Sequence, residues 1–470
     1  MQRKDFLKTV LLANAALATK PLAAMLSQFC EVDAMHSNDN VTYYKKTDAK
    51  YNDLRKGFNK RIDKFPQIIA VCKTTAGVAE AVNYAIANKL PVAVKSGGHC
   101  MEGFSCNNGG MVINLSELSS IEWTDDYTIK VGPGCKLANL YNELLPKQKI
   151  IPGGSCAGVA IGGLVVGGGY GLMSRLFGLT CDSLLDVTMV DGMGNIVTSV
   201  NNNDLLWACK GGGSGNFGIV TELKFKVHKA PKTMQSIRFK TRNATAQKAK
   251  EIFKVWFQET KQLPNHCFSA CLLNGKTVYV LLTNTSKNTP AVQNFITKLS
   301  AISQTTTKTA AQPLATALKT YYGRQFPMNF KNASAGLYKS FDEIEPFIEE
   351  VLQKVINTPG MIYQVNTVGG YVQNADLEKQ SSFPHRAFTY FSELQTYWET
   401  SLQSKKAMEK FEEIQQLFSS NNISVQYRNY PDINFKNSLQ LYYGNNLPKL
   451  QAIKKLYDPN NVIRHEQSIL

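Results

Sequence analysis

The chain has 470 residues, 43% hydrophobic and 19% charged, and a formal net charge of +16. That is length for about three domains of roughly 150 residues with a large buried core, and the composition excludes a disordered or low-complexity chain. No apolar run reaches the roughly 18 residues of a membrane-spanning helix, and the basic residues are scattered without an aromatic-interleaved motif, so neither a membrane span nor a nucleic-acid partner is expected.

At the N-terminus Arg3 and Lys4 precede an apolar stretch at 9–18, followed by Lys20 and the small residues Ala23 and Ala24. Residues 1–30 therefore read as an export signal, and Arg3-Lys4-x-Phe6-Leu7-Lys8 is similar to a twin-arginine signal whose second arginine is lysine. Ile68-Ile69-Ala70-Val71, an amphipathic helix over 76–88 and a strand at 92–94 come next, the period switching from 2 to 3.6 and back. This βαβ unit delivers the chain into Lys95-Ser96-Gly97-Gly98-His99. Met111-Val112-Ile113-Asn114-Leu115 and Thr128-Ile129-Lys130-Val131 continue the short strands.

Ten cysteines in a chain of this size form no small-protein framework. Cys100 and Cys106 flank a short loop whose spacing permits a disulfide. Cys267 and Cys271, with only His266 beside them, read as core residues, and no metal site is expected.

Pro152-Gly153-Gly154-Ser155-Cys156 opens a run that carries glycine at 158, 162, 163, 167, 168, 169 and 171. Each costs roughly 0.5–1 kcal/mol against alanine, so the run needs a reason. Val159, Ile161, Leu164, Val165 and Val166 interleave with it and exclude a flexible linker. Close backbone contact with a pyrophosphate and a planar ring supplies the reason, because exposed N–H groups cradle phosphate oxygens. His99 and Cys156, a nucleophilic imidazole and a nucleophilic thiol each in a glycine-rich turn, suggest two covalent attachment points on one large cofactor. Gly213-Ser214-Gly215-Asn216-Phe217-Gly218 matches a dinucleotide fingerprint in letters only. Beyond it Leu223, Phe225 and Val227 alternate with polar residues as in a strand, where that fingerprint requires a helix.

Together Ser96-Gly97-Gly98-His99, Cys156 with Gly162-Gly163 and Gly167-Gly168-Gly169-Tyr170-Gly171, Ser174-Arg175-x-x-Gly178-Leu179-x-x-Asp182, Asp204-Leu205-x-Trp207-Ala208, Gly211-Gly212-Gly213-x-x-Asn216-Phe217-Gly218-Ile219-Val220, Phe383-Pro384-His385-Arg386 and Tyr457-Asp458-Pro459-x-Asn461 carry a family resemblance. The chain resembles the berberine-bridge-enzyme-like flavoprotein oxidases of the vanillyl-alcohol-oxidase superfamily from about residue 62 to its end. Tyr442-Tyr443-Gly444 also fits, with Asn445 directly after the glycine. The resemblance implies an α+β fold. A PCMH-type FAD-binding domain of two α/β subdomains would span 62–230, and a substrate domain with an antiparallel sheet backed by helices 231–425. The segment 426–470 would return to the first domain.

By the same resemblance His99 would bind the 8α-methyl carbon of FAD and Cys156 its C6, while Lys95, Ser96, Gly97, Gly98, Gly154, Ser155, Val159, Gly162, Gly163, Gly218, Val220, Tyr443 and Asn445 would line the cofactor. The implied reaction is two-electron oxidation of an alcohol or hemiacetal, in a carbohydrate or a glycosylated or polycyclic natural product, with O2 reduced to H2O2. A small residue three places after the cysteine, here Val159, goes with oxygen reactivity. A dehydrogenase, a C–N oxidase and a secreted flavin-bearing binding protein are the alternatives, and a monomer is expected. The base would come from Tyr427-x-Asn429-Tyr430-x-Asp432, or be Glu393, which shares a strand face with Gln395. A tyrosine near pKa 10 is too protonated to act unless cations or hydrogen bonds favour its phenolate, and Arg428 falls on the opposite face of an extended segment. Trp256, Phe257, Tyr321, Tyr322, Tyr363 and Tyr371 have the chemistry to stack on sugars, but ordinary core packing is expected for most of them.

Overall fold

The period switch near residue 70 becomes a parallel sheet in the computed structural model, which describes residues 37–470. The export signal expected over 1–30 lies outside the described residues. Strands β1 (Val41–Tyr44), β2 (Ile68–Cys72), β3 (Val92–Lys95) and β4 (Met111–Asn114) line up in the order β1-β2-β4-β3. Strand β4 runs parallel to both β2 and β3, and β1 adds antiparallel to β2. The crossover helix, Thr75–Ala87, starts where Thr74 Oγ1 accepts the Gly77 N–H at 3.0 Å, and it buries Val78, Ala81, Val82 and Ala85. Every residue of β2 is buried, as expected of a strand covered on both faces. Strand β3 thus projects residues 96–99 from the carboxyl edge of a parallel sheet, where open α/β sheets bind ligands.

A second sheet is built from β5 (Ile121–Asp125), β6 (Thr128–Val131), β8 (Leu184–Asp191), β9 (Ile196–Thr198) and β10 (Gly218–Lys226), all antiparallel, in the order β5-β6-β10-β8-β9. The short ribbon of β7 (Lys149–Ile150) and β11 (His228–Lys229) sits beside it. Gly218, the last glycine of the 213–218 run, opens β10 and not a helix.

The third sheet has eight strands: β12 (Thr233–Thr241), β13 (Cys267–Asn274), β14 (Thr277–Asn284), β15 (Thr305–Lys308), β16 (Gln312–Pro313), β17 (Asn329–Tyr338), β18 (Met361–Thr367) and β19 (Tyr390–Trp398). Its order is β15-β12-β14-β13-β18-β19-β17, with β16 on β12, and its pairs are antiparallel. Period-2 alternation divides the faces. Tyr390 and Leu394 of β19 and Met361, Tyr363 and Val365 of β18 enter an apolar core with Trp256, Phe257, Leu352 and Phe411 from the covering helices. Phe391, Glu393 and Gln395 point the other way, toward the first two sheets.

The last segment returns to the first sheet. Ile463 bridges Val92 in parallel, and Val92 N–H donates to the Val462 carbonyl at 2.8 Å. A buried ion cluster joins the three parts. Lys331 of β17 is 1% exposed at its side chain and donates to Asp432 Oδ1 at 2.6 Å and to Glu102 Oε1, while Arg61 pairs with Glu102 Oε2 at 2.8 Å. Removing one member of a buried cluster strands the others. Lys331→Met is therefore expected to lower the unfolding free energy by about 3–5 kcal/mol; a loss under about 1 kcal/mol in urea unfolding would show the cluster to be incidental.

Candidate active site

The loop at 96–99 is shaped by its glycines. Gly98 has φ +68, and a Cβ on Gly97 would stand 2.7 Å from the Ala160 N, so neither position tolerates a side chain. None of the N–H groups of Ser96, Gly97, Gly98 and His99 donates to a backbone acceptor among the described residues, which makes them free donors for an anion. Phe58 stacks on the His99 ring at 4.4 Å between centroids and 18° between planes. Burial, with the Lys136 charge, pulls the His99 pKa down to about 4 against the opposing Gly158 carbonyl, so at neutral pH the imidazole is uncharged and keeps a lone pair.

Lys95 is placed otherwise than its motif implies. Its ammonium donates to the carbonyls of Leu54, at 2.6 Å, and of Lys56, and burial lowers its pKa to about 8. It ties the loop to the preceding segment.

The loop that carries Cys156 runs beside His99, since a Cβ on Gly158 would lie 3.1 Å from His99 Nε2. Cys156 is accessible, the Ala157 N–H donates to the Tyr322 carbonyl at 3.1 Å, and a Cβ on Gly323 would lie 3.6 Å from the Cys156 Sγ. Burial and then the Glu393 charge raise its pKa, opposed by the Ser155 hydroxyl, so the resting group is a thiol. Gly154 and Gly163 meet no protein atom closer than 3.5 Å and 3.8 Å where a Cβ would be. Free N–H donors, two open glycines and two nucleophiles on neighbouring loops fit a long, planar, pyrophosphate-bearing cofactor. Val159 packs half-buried on the core of the second sheet, and Gly162 packs on Pro133, where a Cβ would meet the ring at 2.5 Å. Gly218 and Val220 lie in β10 opposite Asp191 and Met189.

Glu393 stands in mid-sheet, opposite Ser334 of β17 and Gln364 of β18. It is 6% exposed, accepts from Asn332 Nδ2 at 3.0 Å, and is raised in pKa by burial, with the amides of Asn332, Asn366 and Gln395 opposing. Tyr430 Oη donates to Tyr170 Oη at 3.0 Å, which also accepts from Asn366 Nδ2 at 3.1 Å. Tyr397 Oη donates to Gln395 Oε1 at 2.7 Å. The Glu393 charge acts on Cys156, Tyr170, Tyr397 and Tyr430, so all five belong to one site.

Known sequences converge on the same cofactor. A family model described as an FAD binding domain matches residues 66–199, and one described as "berberine and berberine like" matches 426–470. An uncharacterized FAD-linked oxidoreductase of Bacillus subtilis, YgaK, is 30% identical over 90% of this chain and 95% of its own. The chain belongs to the berberine-bridge-enzyme-like FAD-linked oxidoreductases. The chitooligosaccharide oxidase of Gibberella zeae is 28% identical, covering 88% of this chain and 89% of that one. The solved glucooligosaccharide oxidase of Acremonium strictum, whose structure is described as revealing a novel flavinylation, shares the fold with TM-score 0.81 at 23% identity, covering 91% of this chain and 96% of that one.

Within this berberine-bridge-enzyme-like fold several expected residues play different parts. Tyr427 is 1% exposed, and its Oη accepts from Gly169 N–H at 2.9 Å and Asn429 Nδ2 at 3.0 Å; burial raises its pKa, so it supports the glycine run as a neutral phenol. Arg428 does not alternate along a strand, because the chain turns there and Tyr430 N–H donates to the Tyr427 carbonyl at 3.0 Å. Tyr443 is fully buried and donates to the Gly212 carbonyl at 2.9 Å. Asn445 is exposed, whereas its neighbour Asn446 donates to the Ser382 carbonyl at 3.1 Å. Cys100 and Cys106 are separate free thiols. Trp256, Phe257 and Tyr363 are core residues, Tyr321 and Tyr322 pack half-buried on the other core, and Tyr371 is exposed. Tyr170 entered the sequence reading only as a letter of the glycine motif, and Asn332 and Asn366 carried no local signal. Tyr427→Phe leaves the buried Gly169 N–H without its acceptor and is expected to cost about 1–3 kcal/mol of stability, measured by thermal unfolding, with flavin reduction changed less than by any substitution at Glu393.

Proposed function

We propose that this oxidoreductase oxidises a CH–OH group of a carbohydrate, with FAD held covalently by His99 and Cys156. The observation that carries the proposal is Glu393, a buried carboxylate among amides and phenols whose charge acts on the Cys156 thiol. When bound, FAD supplies the acceptor for the hydride leaving the substrate carbon and passes the electrons to O2, giving H2O2.

Glu393 takes the substrate's hydroxyl proton. Its environment raises its pKa toward the range that suits a general base, whereas burial and the Glu393 charge both push Tyr430 upward, away from phenolate. Tyr430 and Tyr170 orient the hydroxyl, and Asn332, Gln364, Asn366 and Gln395 share the Glu393 face and offer hydrogen bonds to a polyhydroxylated substrate. A neutral His99 suits attachment, since its lone pair is free. Val159, small and three residues beyond Cys156, leaves room for O2. The proposal includes export through the Arg3-Lys4 signal and action as a monomer.

Glu393→Gln is expected to slow flavin reduction by about 10²–10⁴-fold. The base works only when ionised, so in the parent enzyme the reductive rate should fall as pH drops through the raised pKa of Glu393, and the variant should lose that limb. An unchanged rate and pH profile in stopped-flow reduction by a panel of oligosaccharides would remove Glu393 from the role. Acid denaturation should leave the yellow colour on the polypeptide, and His99→Ala/Cys156→Ala should release it. Colour lost from the parent protein would refute covalent attachment.

A further inference from the structure

Arg428 carries a charge that the protein leaves unbalanced. It is 6% exposed, and among the described residues no carboxylate oxygen lies within hydrogen-bond distance of its guanidinium. Its Nε donates to Tyr443 Oη at 3.0 Å. Its Nη2 lies 3.2 Å from His465 Nε2, but that nitrogen offers no lone pair. Nδ1 of His465 accepts the Gln467 N–H at 3.1 Å, which assigns the proton of the neutral ring to Nε2, where the Ser214 carbonyl takes it at 3.3 Å. Both Nη groups of Arg428 therefore lack an acceptor among the described residues. Phe104 and Tyr442 lie 5.9 Å and 5.5 Å from the guanidinium carbon; their rings attract the cation but accept no hydrogen bond along its fork.

Its neighbours do not share the excess. Lys454 is matched by Asp458 at 2.6 Å and Lys64 by Glu466 at 2.5 Å. A buried guanidinium held by one neutral hydrogen bond at Nε and by no carboxylate is costly, so its retention points to a ligand on its Nη side.

The position says which. Arg428 Nε lies 3.1 Å from where a Cβ on Gly213 would be, and a Cβ on Gly215 would meet Val94 Cγ2 at 3.8 Å and His465 Cδ2 at 4.0 Å. Ser214 Oγ donates to the Gly163 carbonyl at 3.2 Å. The turn against Arg428 thus touches both halves of the cradle, the end of β3 before residues 96–99 and the helix Ile161–Val166. We propose that Arg428 is the counter-charge of the FAD pyrophosphate, its two Nη groups forming the planar fork that phosphate oxygens accept while the N–H groups of residues 96–99 hold the same group. The inference rests on the FAD site but not on covalent attachment or substrate. It also makes the cofactor a clasp, because Arg428, Tyr443 and His465 all belong to the C-terminal segment.

Riboflavin, which has the ring and ribityl chain but no phosphate, separates this from a purely structural role. In His99→Ala/Cys156→Ala protein stripped of flavin, Arg428→Met is expected to raise the dissociation constant of FAD about 100-fold and leave that of riboflavin within about twofold, with Arg428→Lys recovering part of the loss. Parallel losses for both flavins, or no loss for FAD, overturn it. Inorganic pyrophosphate provides a reading that needs no flavin. It should raise the melting temperature of the stripped protein more than sulfate does at equal ionic strength, and absence of that shift overturns the proposal. If neither flavin binds the stripped protein, the FAD site itself fails, and the pyrophosphate shift compared between the stripped protein and its Arg428→Met variant decides Arg428: a shift equal in both overturns the proposal.

Discussion

One buried cation sets the geometry on which the site depends. Lys331 takes no partner from its own strand; it holds Glu102 from the first domain and Asp432 from the C-terminal segment. Each contact sits a few residues from a site group. Glu102 lies just beyond His99, Asp432 just beyond Tyr430, and Lys331 next to Asn332, which holds Glu393. A buried ion cluster is weak evidence for net stability, but here it fixes register. Its members are satisfied together only when the loop, the sheet and the returning segment meet at one point.

The two ends of the cofactor gap have opposite electrical character. At one end stand Glu393 and the phenols of Tyr170, Tyr397 and Tyr430, and burial pushes every pKa there toward the neutral form. At the other, on the proposal above, would stand Arg428 and the free N–H groups of residues 96–99, with the carboxylates of Glu466 and Asp458 already committed to Lys64 and Lys454. FAD has matching asymmetry, a neutral ring at one end and a doubly charged pyrophosphate along its length. On the proposed site, that match would orient the cofactor, its ring toward Glu393 and its pyrophosphate toward Arg428.

The fold was legible wherever local periodicity decides structure. The strand-helix-strand switch from 68 to 95 needed only apolar spacing and turned up within a residue or two of the expected bounds, and the strand after Gly218 exposed the false dinucleotide motif. What escaped was set by sheet register and chain reversal. Asn332, Gln364 and Asn366 surround Glu393 because β17, β18 and β19 pair at one offset, which no single strand encodes. Arg428 was misjudged because a turn at 428–430 replaced the assumed extension. Lys95 looked like a cofactor ligand and is a backbone tether, since the carbonyls it serves come from residues 54 and 56, outside its own motif.

The polar sheet face bears on substrate choice. The large aromatics with the chemistry for stacking on a polycyclic substrate, Trp256, Phe257 and Tyr363, are sealed behind the sheet in its helical core. The other face, with Glu393, carries amides, a carboxylate and phenols beside the single ring of Phe391. A site lined with hydrogen-bonding groups discriminates by the cost of leaving them unpaired, far more sharply than an apolar pocket discriminates by shape. On the proposed function, such a face would favour a substrate with hydroxyls on adjacent carbons over a flat hydrocarbon skeleton. Oligosaccharides should therefore be preferred to aglycones even where both carry the same oxidisable alcohol, because a sugar hydroxyl can donate to Asn332 Oδ1, which is buried without a partner.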